Sequence, residues 1–335
     1  LPDEPDACAP NACGGCEALE AAPGDPCGAC NSGAWGCVGD NLRCLDEAPC
    51  SPPTCAIRQD CQGDDYCVEG FCTSLSQVFL PPGTWTLGAP DSDPYRRQDE
   101  LSHQVRLTHG VLFDSDEFPQ WNLYTVDEEL IPEPAPCHED PTLALCPLVT
   151  LNWYEAIALT NLISAQERAE QCYTNAQTQR YYTVEDARAR REVAWPRGLQ
   201  CTGWRLPTEA EWEAAARDGS DQPWPCGQNP ECLEAFAIFD RTSGGLLQNG
   251  SPGGDHPYSL SDVLGNAWEW VWDWYGPYPE GLTEDPLGPA AGTHKIARGG
   301  CYRCEAQLLR PAYRHRLDPA LRSQDVGVRM VRSWR

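Results

Sequence analysis

The chain has 335 residues, 41% of them hydrophobic, a net charge of −26 and 20 cysteines. That length and apolar content support one sizeable core and a smaller unit beside it. The charge argues against nucleic acid and anionic membranes as partners, and so many cysteines point to an oxidising compartment.

Twelve of the cysteines fall in the first 72 residues. Cys13/Cys16 and Cys27/Cys30 have the spacing of zinc ligands, but the region has no histidine, so disulfides fit better. Residues 1–73 therefore read as a Cys-rich disulfide module with two sub-blocks, 1–49 and 50–73, too poor in apolar residues to build a core. The chain starts at Leu1 and shows no basic, apolar leader and no apolar run of membrane-spanning length. It reads as a mature secreted protein, extracellular or periplasmic, whose signal peptide has been removed.

A second domain is expected over 74–335. "VFLPPGTWTLGAP" from Val78 predicts a strand entering a turn, and "HQVRLTHGVLF" from His103 predicts another. The Pro-rich stretch 127–147 contains Cys137 and Cys146, spaced for a local loop staple. "TLNWYEAIALTN" predicts a helix with Asn152 as N-cap and Glu155 completing a capping box; Trp153, Ile157, Leu162 and Ile163 share a face. Residues 172–201 are a polar insertion, which a Cys172–Cys201 bridge would pin at its base. "WRLPTEAEWEAAARDG" predicts a second helix, capped by Thr208 and Glu211 and stopped at Gly219. From residue 220 onward regular periodicity is scarce, so side chains, bridges or ions must hold the chain. In "AWEWVWDW", Trp268, Trp270, Trp272 and Trp274 alternate with Ala267, Glu269, Val271 and Asp273; on a strand the two sets face opposite sides.

Six stretches, in order, resemble the formylglycine-generating enzyme family, also called sulfatase-modifying factors. They are "GTWTLG" (83–88), "PLVTLNWYEAIALTN" (147–161), "GWRLPTEAEWEAAAR" (203–217), "DVLGNAWEWVWDWY" (262–275), "RGG" (298–300) and "AYRHRLDPALRSQDVGVR" (312–329). The resemblance implies an α+β fold related to C-type lectins, with little regular secondary structure and many buried aromatics and charge networks. In such networks Arg205, Arg217, Arg298 and Arg329 would serve buried ion pairs.

Catalytic members of that family hold Cu(I) between two thiolates, the second five residues after the first. Cys304 matches the first; Leu309 stands where the second would be, and Cys301 occupies the family's serine position. Copper is thus disfavoured as a cofactor. Three readings of Cys301 and Cys304 stand: a staple, a rearranged copper site and a redox dithiol. On an extended strand, residues three apart lie roughly 10 Å from one another, whereas a disulfide needs Cα atoms within about 7 Å. A Cys301–Cys304 bridge therefore requires a turn; without one, Cys226 or Cys232 would be the alternative mates.

The resemblance also implies calcium near "DVLGNAWEW", held by the carbonyls of Leu264, Gly265 and Ala267 and the side chain of Glu269. The competing reading gives Glu269 an ion pair with Arg298 or Arg329. Iron chemistry finds no histidine spacing to support it. The expected function is a non-catalytic binding or assembly module at a bacterial cell surface, with a protein or glycan partner or through self-assembly. The alternatives are a copper-dependent oxidase and a calcium-dependent, lectin-like binder.

Overall fold

In the computed structural model, the described residues are 77–119, 146–235, 237–241, 246 and 260–334, together with four short strands earlier in the chain. The chain divides into two compact units, Leu1–Leu75 with Trp334–Arg335, and Ser76–Ser333. In the first unit β1 (Trp35–Val38) pairs antiparallel with β2 (Asn41–Cys44), and β3 (Tyr66–Val68) with β4 (Phe71–Thr73). The residues between the paired strands are Gly39-Asp40 and Glu69-Gly70 in sequence, short glycine-containing links of the kind hairpins favour. The other readings of the Cys-rich head lie outside the described residues.

In the second unit the expected first strand is two. β5 (Gln77–Leu80) and β6 (Gly83–Leu87) flank Pro81 and Pro82, which cannot donate to a ladder. The second is likewise divided into β7 (His103–Leu107) and β8 (Gly110–Asp114). At the break, Thr108 N–H donates to Asp285 and the His109 ring bonds Glu211 at 2.8 Å.

Helix α1 (Trp153–Gln166) begins at the predicted capping box, with Asn152 and Glu155 bonded reciprocally. It is buried almost all round rather than on one stripe. Polar Asn161 lies inside because it bonds the backbone of Tyr173 and the Tyr182 carbonyl. The insertion that follows holds β9 (Thr174–Asn175), α2 (Val184–Arg188) and β10 (Val193–Ala194), and Cys172–Cys201 closes it. After β11 (Trp204–Arg205), α3 (Glu209–Arg217) starts at the Thr208/Glu211 capping box and ends with Asp218 in the left-handed region, one residue before Gly219. All nine residues of α3 are buried, three glutamates and an arginine among them.

The remaining strands are β12 (Trp268–Trp274), β13 (Thr283–Glu284), β14 (Lys295–Arg298), β15 (His315–Leu317), β16 (Val326–Gly327) and β17 (Val331–Trp334). Two four-stranded sheets, β11-β17-β8-β5 and β15-β14-β12-β16, and a three-stranded sheet, β13-β7-β6, form the framework. Trp212, Trp224 and Trp270 are its largest fully buried side chains. Each contributes several kcal/mol of transfer free energy, on the order of 25 cal/mol per Å² of apolar area. No helix among the described residues is long and apolar enough to cross a membrane.

Candidate functional site

Strand β14 is buried at all four residues and lies beside β12, with Arg298 opposite Glu269. Two glycines then end it. Gly299 and Gly300 have φ of +100° and +93°, which side-chain-bearing residues rarely adopt. A Cβ on Gly299 would lie 2.8 Å from the Val263 carbonyl oxygen, and one on Gly300 would lie 2.6 Å from Leu309 Cδ1. Freed from the ladder, the chain turns at once. Cys304 N–H donates to the Cys301 carbonyl at 2.9 Å, and the two cysteines are bridged with their Cα atoms 5.0 Å apart. This is the turn that a bridge between them requires.

The turn is fastened on both sides. Tyr302 N–H donates to the Asn266 carbonyl, Asp240 N–H to that of Cys304, and Arg241 N–H to that of Tyr302. Cys301 is 1% and Cys304 8% exposed, and Leu309 is fully buried in the short 3-10 turn Ala306–Leu309. Both sulfurs are committed to each other and the offset-five position is packed with hydrocarbon, so the locus presents no thiolate for a soft metal. The sheet that leads into the turn also carries an aromatic and cationic cluster. The Trp268 and His315 rings stack at 4.5 Å, Tyr313 lies 5.7 Å from Trp268, and Arg97 caps Tyr313, donating to its hydroxyl at 2.9 Å. Burial lowers the His315 pKa, so its ring favours the neutral form. Arg303 projects to solvent and is paired with Asp325 at 2.7 Å.

Of the other cysteines singled out by the sequence, Cys226 and Cys232 pair with each other. Cys146 is disulfide-bonded to a mate outside the described residues, where Cys137 also lies.

The expected calcium ligands Leu264, Gly265, Ala267 and Glu269 form one tight segment. Gly265, at φ +99°, makes a parallel bridge with Ile238, and Ala267 N–H donates to Glu117 at 3.0 Å. Glu269 is fully buried: Oε1 accepts from Arg329 Nε at 2.9 Å and lies 2.8 Å from the same guanidinium's Nη2, and Oε2 accepts from the Trp212 indole at 2.6 Å. Of the two arginines weighed, Arg329 is its mate, although Arg298 stands opposite it on the sheet. As placed, this carboxylate is committed to Arg329, and a calcium ion recruiting it would have to displace that guanidinium. Among the described residues no group of three or more His, Cys, Asp or Glu is arranged to hold a metal.

Arg205, Arg217, Arg298 and Arg329 each reach a buried carboxylate. Arg205 grips Glu211 with two 2.7 Å bonds. Burial alone would raise the Glu211 carboxyl, but Arg205 and His109 hold it well below the usual range. Two further clusters went unread in the sequence. Arg314 clasps Glu209, and Arg310 joins Asp93 and Glu100. The one available signal was Glu209, Glu211 and Glu213 alternating at the start of a helix otherwise rich in alanine.

The alternating tryptophans do not line an open groove. Trp268 and Trp270 are buried, and Trp270 donates to the Leu151 carbonyl. Trp272 and Trp274, with Trp153, surround the Lys295 ammonium at 3.8 to 4.8 Å from their ring centroids.

Comparison with known proteins agrees with this architecture. Residues 73–334 match the sulfatase-modifying factor enzyme 1-like domain. The serine/threonine-protein kinase pkn1 of Chlamydia pneumoniae is 39% identical over 137 residues, 39% of this chain and 21% of the kinase. The formylglycine-generating enzyme of Streptomyces coelicolor is 34% identical over 158 residues, 41% of this chain and 50% of the enzyme. The chain thus spans half or less of these relatives. Among solved structures, Treponema denticola variable protein 1 superposes with a TM-score of 0.66 at 25% identity, covering 76% of this chain and 94% of that one. PvdO from Pseudomonas aeruginosa, at 18% identity and a TM-score of 0.57, covers 77% and 94% and shares the fold. The fold, its capped helices and the match over most of its length place this chain in the sulfatase-modifying factor enzyme 1-like domain family.

Proposed function

We propose that this domain is a non-catalytic binding or assembly module that works outside the cytoplasm, at the cell surface, on a protein or glycan partner. The observation that carries the reading is the Cys301–Cys304 bridge beside a buried Leu309. The sulfur that a copper-dependent relative would give to the metal is here closed into a turn, and its second ligand is hydrocarbon. Bridged cysteines throughout the described residues favour an oxidising location. The exposed Arg303 and the His315, Tyr313 and Arg97 cluster supply the cationic and aromatic side chains that dominate binding surfaces. Likeness to a variable protein, and to a segment amounting to a fifth of a kinase, supports use of the fold apart from the oxidase reaction.

The deciding experiment is oxygen uptake by the copper-treated protein with a Cys-x-Pro-x-Arg peptide. No uptake and no aldehyde by mass spectrometry are expected; aldehyde would establish the oxidase alternative.

Calcium at the Leu264–Glu269 segment is a separate proposal, and the Arg329 ion pair sets its test. An ion that recruits Glu269 must stabilise the fold by more than the pair it breaks. Thermal unfolding in millimolar CaCl2 and in EGTA measures this. A calcium-dependent rise in Tm of several degrees is the expected sign of binding, and identical curves assign the segment to the ion pair alone.

A further inference from the structure

A cavity of about 420 Å³ opens between the start of α3, the end of β12 and the segment 276–289. It shares no residue with the Cys301–Cys304 turn, and its size falls within the range of small-molecule sites, about 300–1,000 Å³. Leu87, Ala210, Pro286, Leu287 and Pro289 give it apolar walls. Prolines lose little freedom on binding, so the walls are preformed. The His103 and Tyr278 rings, stacked at 3.9 Å, stand at one side.

The charges lining it are unequally matched. Glu209 is bonded by Arg314 at 2.7 and 2.8 Å and lies 3.1 Å from Arg298. Glu213 is held by Arg217 and Arg298, each at 2.7 Å. Glu284, at the surface, lies 3.6 Å from Arg106. Asp273 differs. It is 3% exposed, its Oδ2 accepts from the Glu209 N–H at 2.7 Å, and its Oδ1 receives no hydrogen bond from the described residues. Gly288, at φ +71°, passes so close that a Cβ would lie 2.8 Å from Oδ1. Lys295, which attracts this carboxylate electrostatically, donates its hydrogen bond instead to the Trp272 carbonyl at 2.6 Å from within its indole cage. Burial, and then Glu209, push Asp273 up to about 7, with the Glu209 N–H, Lys295 and Arg314 only partly offsetting them.

A preformed apolar cavity with one unmatched buried acceptor is suited to a ligand with an apolar body and a charged donor. We propose that this cavity binds small organic amines, with the ammonium on Asp273 Oδ1 and the apolar body against the proline-lined wall. The site goes beyond the binding role proposed above and stands independently of it.

The test is calorimetric titration of the full chain with tryptamine and with tryptophol, which replaces the amine by a hydroxyl. Tryptamine is expected to bind at least about tenfold more tightly than tryptophol, the difference a charge-assisted hydrogen bond supplies. Asp273→Asn should abolish that preference. Leu287→Trp, at a rim residue 37% exposed, should block both ligands while leaving Tm unchanged, and it decides the matter if Asp273→Asn does not fold. Equal affinities of the parent for the two ligands, no binding of tryptamine, a tryptamine preference that survives Asp273→Asn, or tryptamine binding that survives Leu287→Trp overturns the proposal.

Discussion

Replacing Arg310 with alanine is expected to destabilise the domain by about 3–5 kcal/mol, read as a lower urea midpoint. Arg310 is 1% exposed, and its guanidinium lies 2.9 Å from Asp93 and 2.7 and 3.0 Å from the two oxygens of Glu100. Both carboxylates are as deeply buried as the arginine. Removing the cation leaves them with backbone donors from Tyr95 and Arg97 and no ion pair. Two uncompensated negative charges then remain in a low-dielectric interior. The penalty comes from stranding them, since an intact buried pair adds little over an apolar replacement. The triple variant Arg310→Leu, Asp93→Asn, Glu100→Gln should therefore recover much of the loss. Arg197→Ala, which breaks a pair whose arginine side chain is 54% exposed, should cost no more than about 1 kcal/mol. A loss of similar size in Arg310→Ala and Arg197→Ala would show that the 93–100 segment opens to water and that the buried network does not hold it.

The same residues show what could be read from the sequence. The capping boxes at Asn152 and Thr208 were legible because each is completed within three residues. The turn at Cys301 was legible as a requirement, since bridge geometry excludes an extended chain there, although the sequence did not choose among staple, copper site and dithiol. The pairing of Arg310 with Glu100 spans 210 residues, and no local pattern records it. The tryptophan strand shows a different limit. Its ladder to β14 shifts register between Trp270 and Trp274, and core packs against both sides, so alternation does not separate a buried face from an open one. The cavity escaped notice because proline-rich irregular chain such as 276–289 has no period to read. Its shape depends on which distant elements the segment meets.

Stability should peak near pH 4–5 and fall on both sides, with the alkaline side set by buried acids that lack full compensation. Burial raises Asp114 to about 8, Arg329 and Arg332 only partly offsetting it, and burial followed by Glu209 brings Asp273 to about 7. A carboxyl raised on folding contributes stability that is fully present below its unfolded pKa, near 4, and is lost as pH climbs through the folded value. Between pH 4 and 8 the unfolded chain releases these protons while the folded one retains them, so stability falls by a few kcal/mol. Glu211 and Glu213 work in the opposite sense. Burial would raise both, but Arg205, and for Glu213 Arg217 and Arg298, hold them down, Glu213 to about 2. Their contribution is present above the unfolded value, about 4.5, and is lost as pH drops toward 2. Relief of self-repulsion in a chain of charge −26 works in the same direction as the alkaline limb. Urea midpoints at pH 3, 5 and 8 should therefore be highest at 5. Asp114→Asn tests the assignment directly: an amide cannot ionise, so its midpoint relative to the parent should improve more at pH 8 than at pH 5. A parent midpoint that rises from pH 5 to pH 8 would mean that these carboxyls ionise within the fold at little cost, and that water reaches them.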